Sequence, residues 1–430
     1  MVKNPQSDRE IIKRQITALL DDAVKRTTVA TAIESHREPV SEPESDGFVR
    51  TPMVAVSIDE TPLLVVPGHI LVDDEHAQAT RALLGPDFSG PERITCPSGT
   101  PLPVVRFNSQ TADLAVTTDA LHDAGIPANF SYVTPSGPYM KSAGGAEYPS
   151  GATPEMSEQE QNGVGEGCIR VAIIDTGINV TDTEWGKQWL RGVTVTDGNR
   201  DPLNAISKGP LDNGGGHGTF VAGIIRQIAP KAQIRIYRAL DSDGVGSEEA
   251  VACAILKAVD DGVDIINLSL GTETYKDRPP VALNAALELV PEEVVVVAAA
   301  GNDGSSRPNW PAAFKRVVAV AGLDQDLKRT QWSNRGSWID MSTVGEGVVS
   351  TFVVGFESKK EDPDPEDWRP TAPWAMWTGT SFAAPQIVGL IARAAETSDA
   401  GQALAELRAN GSHVADFGVA VPSPLTYTVV

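Results

Sequence analysis

Short apolar runs alternate with amphipathic helical patterns over residues 169–300, and this alternation constrains the fold more than any other feature of the chain. The runs are rich in β-branched residues, too short for helices and bounded by turn residues, which is typical of buried strands. They cover residues 169–175, 233–240, 263–271 and 294–300, and the helical stripes cover 218–228, 251–259 and 281–290. Strands that are apolar on both faces and alternate with helices predict an α/β fold, a doubly wound and mainly parallel sheet with helices on both faces.

Three residues able to perform acyl transfer stand at the ends of predicted elements. Asp175 ends a strand, His217 begins a helix, and Ser381 begins another helix within GTSFAAP. The carboxyl ends of parallel strands meet at one edge of a sheet, where α/β folds place their sites. Singly, each motif has a plain structural explanation, as a turn after a strand or as a helix cap. Together they predict an acid, a base and a nucleophile at one site.

The segments that carry these residues resemble those of the subtilisin-like serine peptidases, the subtilase family. They are IIDTGIN at 173–179, HGTFVAG at 217–223 and GTSFAAP at 379–385, in the chain order Asp, His, Ser. That order distinguishes this family from unrelated folds with the same catalytic residues. The resemblance covers roughly residues 168–410 and implies a subtilisin-like fold and hydrolysis of peptide bonds through an acyl-enzyme.

The resemblance also assigns roles around the catalytic residues. Asn302, at the end of a predicted strand, is expected to donate the side-chain half of an oxyanion hole. Ala300 and Gly301, just before it, are candidate substrate-binding residues. A substrate is expected to add as a strand between two edges. One edge is Gly244, Val245 and Gly246, for which a plain loop is the alternative, and the other is Ser269, Leu270 and Gly271.

A further resemblance concerns the turn beside the primary specificity pocket, which Trp310, Pro311 and Ala312 match. Asn309 lies just before this turn and is a candidate substrate-binding residue. Arg307 and Asn309 replace the small residues often found nearby in the family. The preference for the residue before the cleaved bond is therefore not transferred from the family.

Composition limits the partners. The 430 residues carry a formal net charge of −22, which disfavours nucleic acid and anionic membranes as partners. The resemblance implies a protein or peptide substrate. Cys96, Cys168 and Cys253 are too few and too scattered to predict a disulfide framework or a metal site, and no cofactor is expected. The charged first residues lack the apolar core of a signal peptide, and no segment is long and apolar enough to span a membrane. A cytoplasmic location is expected.

The first 167 residues are expected to hold three further regions. Residues 1–50 contain an amphipathic helix, predicted to dock on the rest of the chain, and a polar linker. Residues 51–134 show strand, helix, strand, helix and strand patterns, with a weaker strand near 92–96, which approximates an α+β, ferredoxin-like domain. Residues 135–167 are rich in Gly, Ser, Pro and Glu and predict a flexible linker before a peptidase domain at 168–430.

The role of the ferredoxin-like region has two explanations. Subtilase propeptides commonly have this layout, fold against the enzyme and lay their carboxyl tail through its cleft, which would make the region an intramolecular inhibitor. A permanent docking domain is the alternative, because likeness of fold is weak evidence of function. An acidic, Pro-containing insertion at 356–374 predicts a solvated surface loop, with gating of the cleft as its alternative.

Three classes of function are compatible with these patterns. The first is a selective or autoinhibited serine endopeptidase. The second is a macrocyclase or transpeptidase, in which an amine rather than water resolves the acyl-enzyme. The third is a catalytically silent binding protein on the same scaffold. The presence of all the catalytic residue types favours the endopeptidase.

Overall fold

The structure is a computed structural model, and it describes ten segments of the chain. They are residues 8–24, 48–58, 61–137, 145–149, 163–180, 189–195, 198–204, 209–358, 365–369 and 374–425. Most of the predicted polar linker at 27–50 and most of the Gly- and Glu-rich linker lie outside these residues. Two sheets organise the described part, one in an N-terminal domain and one in a C-terminal domain.

The N-terminal domain is a sheet with helices on one side. Its elements are β1 (Val54–Ile58), β2 (Thr61–Asp73), α2 (Ala77–Leu83), β3 (Ser89–Thr95), β4 (Pro101–Asn108), α3 (Leu114–Asp123) and β5 (Ala128–Pro135), after α1 (Asp8–Val24). The strand order is β3-β4-β2-β5, β1 pairs with β2, and every pairing is antiparallel. The predicted weak strand corresponds to β3, and the other strands and helices lie where the sequence patterns place them.

The C-terminal domain is an α/β structure built on a mainly parallel sheet, as predicted. Its first elements are β6 (Arg170–Asp175), α4 (His217–Ile228), β7 (Gln233–Arg238), β8 (Val245–Ser247), α5 (Glu248–Asp260), β9 (Ile265–Leu268), α6 (Val281–Glu288), β10 (Val295–Ala299) and β11 (Val317–Leu323). The later ones are β12 (Met341–Val344), β13 (Val348–Thr351), β14 (Gly355–Phe356), β15 (Asp367–Trp368), β16 (Trp374–Trp377), α7 (Thr380–Ala394), α8 (Ala400–Asn410), β17 (Ser412–Val414) and β18 (Gly418–Ala420). The sheet order is β17-β18-β12-β11-β10-β9-β6-β7, and only β17 runs antiparallel to its neighbour.

Helices cover both faces of this sheet because alternate strand residues point to opposite sides. In β6, Val171 and Ile173 face the cluster that contains α4 and α7, whereas Ala172 and Ile174 face the cluster that contains α5 and α6. All four side chains are buried. The continuous apolar run is thus explained by burial on both faces, as the sequence predicts.

The N-terminal sheet packs on the outer side of helices α5 and α6. Leu71, Leu102 and Val104 from its strands belong to the same apolar cluster as Leu256 of α5 and Leu283 of α6. The strand β5 continues into the C-terminal domain, where it pairs antiparallel with β8. The two domains therefore share a hydrophobic core and a sheet.

Helix α1 docks on the C-terminal domain, which confirms the docking predicted from its apolar face. Ile11 and Ile12 enter the cluster around α4 and α7. Gln15 is fully buried, donates to the carbonyls of Gly145 and Met376, and accepts from Thr378. In the part of the chain that is described, no helix has the length and apolarity needed to cross a membrane.

Three expectations need correction. Cys96 and Cys253 form a disulfide although 157 residues separate them, because the N-terminal sheet packs on α5. Part of the predicted flexible linker is ordered, since Glu147 pairs with Met376 at the open edge of β16. The acidic insertion is also partly packed rather than wholly solvated, because β14 and β15 form a hairpin and Trp368 is 1% exposed, although Phe356 is 46% exposed. Residues 359–364 and 370–373 of the insertion lie outside the described part.

Candidate active site

The three predicted catalytic residues meet at the carboxyl edge of the parallel sheet. Asp175 is the last residue of β6, His217 the first of α4, and Ser381 the second of α7. Their side chains are buried, with exposures of 0, 0 and 1%. The sequence brings them together because each stands at an element end and parallel strands share one carboxyl edge.

Asp175 holds the imidazole of His217. Nδ1 of His217 lies 2.8 Å from Oδ1 and 2.9 Å from Oδ2 of the carboxylate, to which it donates. Burial alone would lower the pKa of His217, but the charge and hydrogen bond of Asp175 outweigh it and raise the pKa above its ordinary value. The pair has the geometry of an acid that orients and stabilises a base.

Among the described residues, the hydroxyl of Ser381 makes a hydrogen bond to a backbone carbonyl and none to His217. Its Oγ donates to the carbonyl of Ser269, at 3.1 Å. In return, Oγ of Ser269 donates to the carbonyl of Ser381 at 2.9 Å and accepts from Nδ2 of Asn267. These bonds connect the start of α7 to the end of β9, and Ser381 must leave Ser269 to reach the imidazole.

Asn302 is oriented as a hydrogen-bond donor toward the cleft. Its Oδ1 accepts from the backbone N and from Oγ1 of Thr380, at 2.8 and 2.9 Å. Because the oxygen accepts from Thr380, Nδ2 faces the opposite way, toward Gly137. A Cβ built on Gly137 would lie only 2.6 Å from this nitrogen. The first backbone N–H groups of a helix have no partner within the helix, so the amide of Ser381 is a second donor at this point. The arrangement fits an oxyanion hole.

The two predicted cleft edges lie on either side of residues 133–137, called here the tail. The tail consists of the last three residues of β5 and the two residues that follow. Its residues Val133 to Pro135 pair with β8. The backbone N of Ser136 donates to Gly244 at 2.7 Å, and the backbone N of Gly271 donates to Pro135 at 3.0 Å. The predicted substrate-binding residues are thus brought together, and the chain's own tail adds between them as a strand. They are Gly244, Val245 and Gly246 on one edge and Ser269, Leu270 and Gly271 on the other.

The tail ends against the predicted catalytic residues. The carbonyl oxygen of Gly137 lies 3.0 Å from Nε2 of His217. A carbonyl oxygen only accepts hydrogen bonds, and so does the carboxylate at Nδ1, so both contacts suit a ring that donates from both nitrogens. Asp175 and, to a lesser extent, the Gly137 carbonyl therefore favour the charged imidazolium form of His217.

Asn309 fills the space beside the cleft. A Cβ on Gly271 would meet its Oδ1 at 2.7 Å, and a Cβ on Gly301 would meet its Nδ2 at 2.1 Å. Nδ2 donates to the carbonyl of Ala300 at 3.1 Å, and Oδ1 has no hydrogen-bond partner within the described residues. Arg307, by contrast, points away and pairs with Glu273 at 2.9 Å.

Two residues at the site have no sequence signal. Gly137 lies in a Gly-rich stretch that resembles a linker. Asp201, before Pro202, resembles a turn residue, yet it is buried and accepts from the N of Gly216 at 2.8 Å and from Oγ1 of Thr176 at 3.1 Å. Burial raises the pKa of Asp201 to about 6. This carboxyl connects the residue after Asp175 to the residue before His217.

The site contains no metal-ligand cluster. Across the described residues, no group of three or more His, Cys, Asp or Glu side chains could hold a metal ion. The chemistry available here is proton transfer, nucleophilic attack and stabilisation of a developing negative charge.

Comparison with known proteins is consistent with this geometry. The model of one protein family, described as the subtilase family, matches residues 167–412. The chain is 35% identical over 232 residues to the thermophilic serine proteinase of Bacillus sp. (strain AK1), covering 52% of this chain and 51% of the relative. It is 32% identical over 257 residues to thermitase of Thermoactinomyces vulgaris, covering 57% of this chain and 81% of thermitase. This chain thus spans about half the length of the first relative and most of the second.

A likeness to a solved structure concerns the fold alone. A structure of proteases from Pseudoalteromonas arctica aligns with a TM-score of 0.50 at 22% identity, covering 62% of this chain and 91% of the other.

Proposed function

This chain belongs to the subtilase family, and we propose that it is a serine endopeptidase whose cleft is blocked by its own N-terminal domain. The proposed catalytic residues are Asp175, His217 and Ser381, with Asn302 and the backbone amide of Ser381 as oxyanion donors. The observation that carries the proposal is the tail, which lies between the two substrate edges and ends on the catalytic base.

The proposed reaction uses each side chain as the geometry allows. Neutral His217 takes the proton of Ser381 as the hydroxyl attacks a peptide carbonyl, and Asp175 stabilises the imidazolium that forms. Asn302 then donates to the oxygen that gains negative charge, a contribution of about 3 kcal/mol to the transition state. His217 returns the proton to the leaving amine, and water hydrolyses the acyl-enzyme by the reverse route.

The tail prevents the first of these steps in two ways. It keeps His217 protonated through the Gly137 carbonyl, so the base cannot accept a proton from Ser381. The Gly137 carbonyl also points to His217 rather than to Asn302. Nδ2 of Asn302 instead lies 2.6 Å from the position that a Cβ on Gly137 would occupy. The tail is therefore bound like a substrate along its strand but not at the reacting carbonyl.

The inhibitory unit is proposed to be a ferredoxin-like domain at residues 51–134, preceded by the α1 region at 1–50 and followed by a linker to a peptidase domain at 168–430. Two strand-helix-strand units and the antiparallel order β3-β4-β2-β5 support this assignment. Its contacts with the peptidase domain support a docked role, including the bonds from Ser131 to Glu249 and from Tyr132 to Glu248.

Replacing Gly137 tests both parts of the proposal. A side-chain carbon there would lie 2.6 Å from Nδ2 of Asn302, which Thr380 holds in place. Overpacking of this kind costs about 1–3 kcal/mol, so we expect Gly137→Ala to weaken the tail's hold on the cleft about tenfold. Intact mass would follow the rate at which a fluorophosphonate forms one adduct on the full-length protein. Ser136→Ala is the matched control, because it keeps the backbone bond to Gly244, and Ser381→Ala is the blank.

The outcomes separate the functional classes. Faster labelling of Gly137→Ala than of Ser136→Ala, with none in Ser381→Ala, supports a competent nucleophile blocked by the tail. Equal labelling of the two tail variants contradicts inhibition by the tail. No adduct in any variant favours a silent scaffold. If peptides added to Gly137→Ala gave products that had lost a water rather than gained one, the enzyme would be a macrocyclase or transpeptidase.

A further inference from the structure

The disulfide between Cys96 and Cys253 joins the N-terminal domain to the peptidase domain. Cys96 lies at the turn after β3 and Cys253 within α5, with 5.3 Å between their α-carbons. Both side chains are buried, at 3 and 8% exposure. Beside the bridge, Oγ1 of Thr100 donates to Asp260 of α5 at 3.2 Å. The turn that carries Cys96 is thus seated on the helix that carries Cys253.

This bridge and the chain itself are the covalent connections between the two domains. The tail enters the cleft at Gly137, and the chain continues to β6 through residues 138–169. A cut in that stretch leaves the N-terminal domain attached through Cys96 and Cys253. Cys168 is the third cysteine of the chain, and it is exposed and unpaired.

The other contacts between the two domains are non-covalent. Asp119 pairs with Lys276 and Arg278, at 2.8 and 2.7 Å, and Nδ2 of Asn129 donates to the carbonyl of Pro279 at 2.6 Å. Contacts of this kind re-form readily while a tether keeps the partners at millimolar effective concentration. Without a tether, dilution separates the two domains. Apparent affinity differs by about 10²–10⁴-fold between tethered and untethered domains.

We propose that the Cys96–Cys253 disulfide is a second tether, so that the inhibitory domain leaves the cleft only when the linker is cut and the bridge is reduced. The proposal rests on the function proposed above, because it concerns control of the same cleft. Neither event alone frees the domain. A cut under oxidising conditions leaves it bridged, and reduction without a cut leaves it joined by the linker.

The chemistry needs a dithiol reductant. One thiolate of the reductant attacks one sulfur of the bridge and releases the other cysteine as a thiolate, which takes up a proton. The second thiol of the reductant then displaces the first cysteine, which also ends as a thiol. The reductant leaves as a cyclic disulfide, so two electrons and two protons pass to Cys96 and Cys253.

The test uses the full chain with a recognition sequence for a site-specific protease inserted between Glu155 and Met156. Wild type, Cys96→Ser and the control Cys168→Ser are cut completely, diluted to nanomolar concentration and treated with or without a dithiol. Two measurements follow: retention of the N-terminal fragment by size exclusion, made in a Ser381→Ala background, and the rate of fluorophosphonate labelling with Ser381 intact.

We expect the cut wild type and Cys168→Ser to retain the fragment and to label slowly until the dithiol is added. Cut Cys96→Ser should lose the fragment and label about 100-fold faster without reductant. Because Cys96→Ser could be destabilised, the wild type with dithiol provides the same comparison without a substitution.

Three results would overturn the proposal: fragments that separate on a non-reducing gel, a fragment retained after reduction, or equal labelling of cut wild type and cut Cys96→Ser. A failure of the proposed peptidase function is distinguishable from these. In that case the fragment would leave on reduction and Ser381 would still form no adduct.

Discussion

The two ring nitrogens of His217 make contacts with opposite consequences for the proposed catalysis. Asp175 orients Nδ1, as a base requires, but the Gly137 carbonyl occupies Nε2 and favours the charged ring. The candidate roles of Asp175, His217 and Ser381 were predicted from their types and chain order. The contact between Gly137 and His217 was not, because 80 residues separate them.

Asn309 is expected to limit the side chain that can precede the cleaved bond. Its carboxamide packs on Gly271 and Gly301 and fills the space between the two walls. In a Gly137→Ala background, Asn309→Gly should shift kcat/KM toward peptides with Leu or Phe before the cleaved bond and away from Ala, by about tenfold or more. Chromogenic peptides that differ only at that residue would measure the change.

Arg307→Ala is the control for this prediction, because Arg307 pairs with Glu273 away from the cleft. An unchanged ratio of kcat/KM values for Leu and Ala peptides in Asn309→Gly would show that Asn309 does not form the pocket.

At the scale of elements, helix α1 supports the strand that leads to the nucleophile. Gln15 connects three segments through hydrogen bonds to Gly145, to Met376 of β16 and to Thr378, which precedes α7. The amphipathic pattern predicted the helix, because periodicity is a local property of the sequence. It predicted docking because an apolar face needs to be buried. It could not predict the partners of Gln15, because Thr378 is 363 residues away.

Gln15→Ala should destabilise the protein, because it removes three buried hydrogen bonds, two to the carbonyls of Gly145 and Met376 and one from the hydroxyl of Thr378. A buried polar group that loses its hydrogen bond costs about 1–3 kcal/mol, and we expect a loss of about 3 kcal/mol in the free energy of unfolding. Urea denaturation would measure it. Lys13→Ala, on the exposed side of α1, is the control, and equal midpoints for the two variants would contradict a supporting role for Gln15.

At the scale of the whole molecule, the domain interface contains buried acids. Glu248 accepts from Tyr132 of the N-terminal domain and from Ala282, and Glu249 accepts from Ser131. Burial and the neighbouring charge of Glu249 raise the pKa of Glu248 from 4.5 to about 8. Asp175 raises the pKa of His217 against the effect of burial, and the hydrogen bond to the Gly137 carbonyl contributes less. The burial of Glu248 at the interface therefore favours its protonated form in the docked state.

Docking should consequently weaken with rising pH. A group whose pKa is raised on docking stabilises the docked state fully below its free pKa, and this contribution is lost as the pH rises through the docked pKa. For Glu248 this contribution is lost as the pH rises through about 8, the pKa of the docked state. In linker-cut, reduced Ser381→Ala protein, we expect the dissociation constant of the N-terminal fragment to rise at least about tenfold from pH 6 to pH 9.

Glu248→Gln provides the control for this pH dependence, because its amide cannot titrate and should flatten the rise. A dissociation constant that is independent of pH in the unsubstituted Glu248 protein, or equally dependent in both, would contradict the role of Glu248.

The disulfide also bears on the compartment expected from the sequence. Disulfides persist in oxidising surroundings and are uncommon in a reducing cytosol. The cytoplasmic location thus stays a prediction, and the proposed control by reduction of the bridge depends on the redox conditions of the compartment.

The sequence by itself determined the α/β class and most of the order of strands and helices, and it gave candidates for the acid, base, nucleophile and oxyanion donor. These follow from local periodicity and from residue chemistry at element ends. Only the tertiary structure decided that Gly137 faces His217, that Cys96 meets Cys253 and that Gln15 supports β16. Each of these contacts joins residues 80 to 363 positions apart, and such distances are closed by the packing of whole domains rather than by any local pattern.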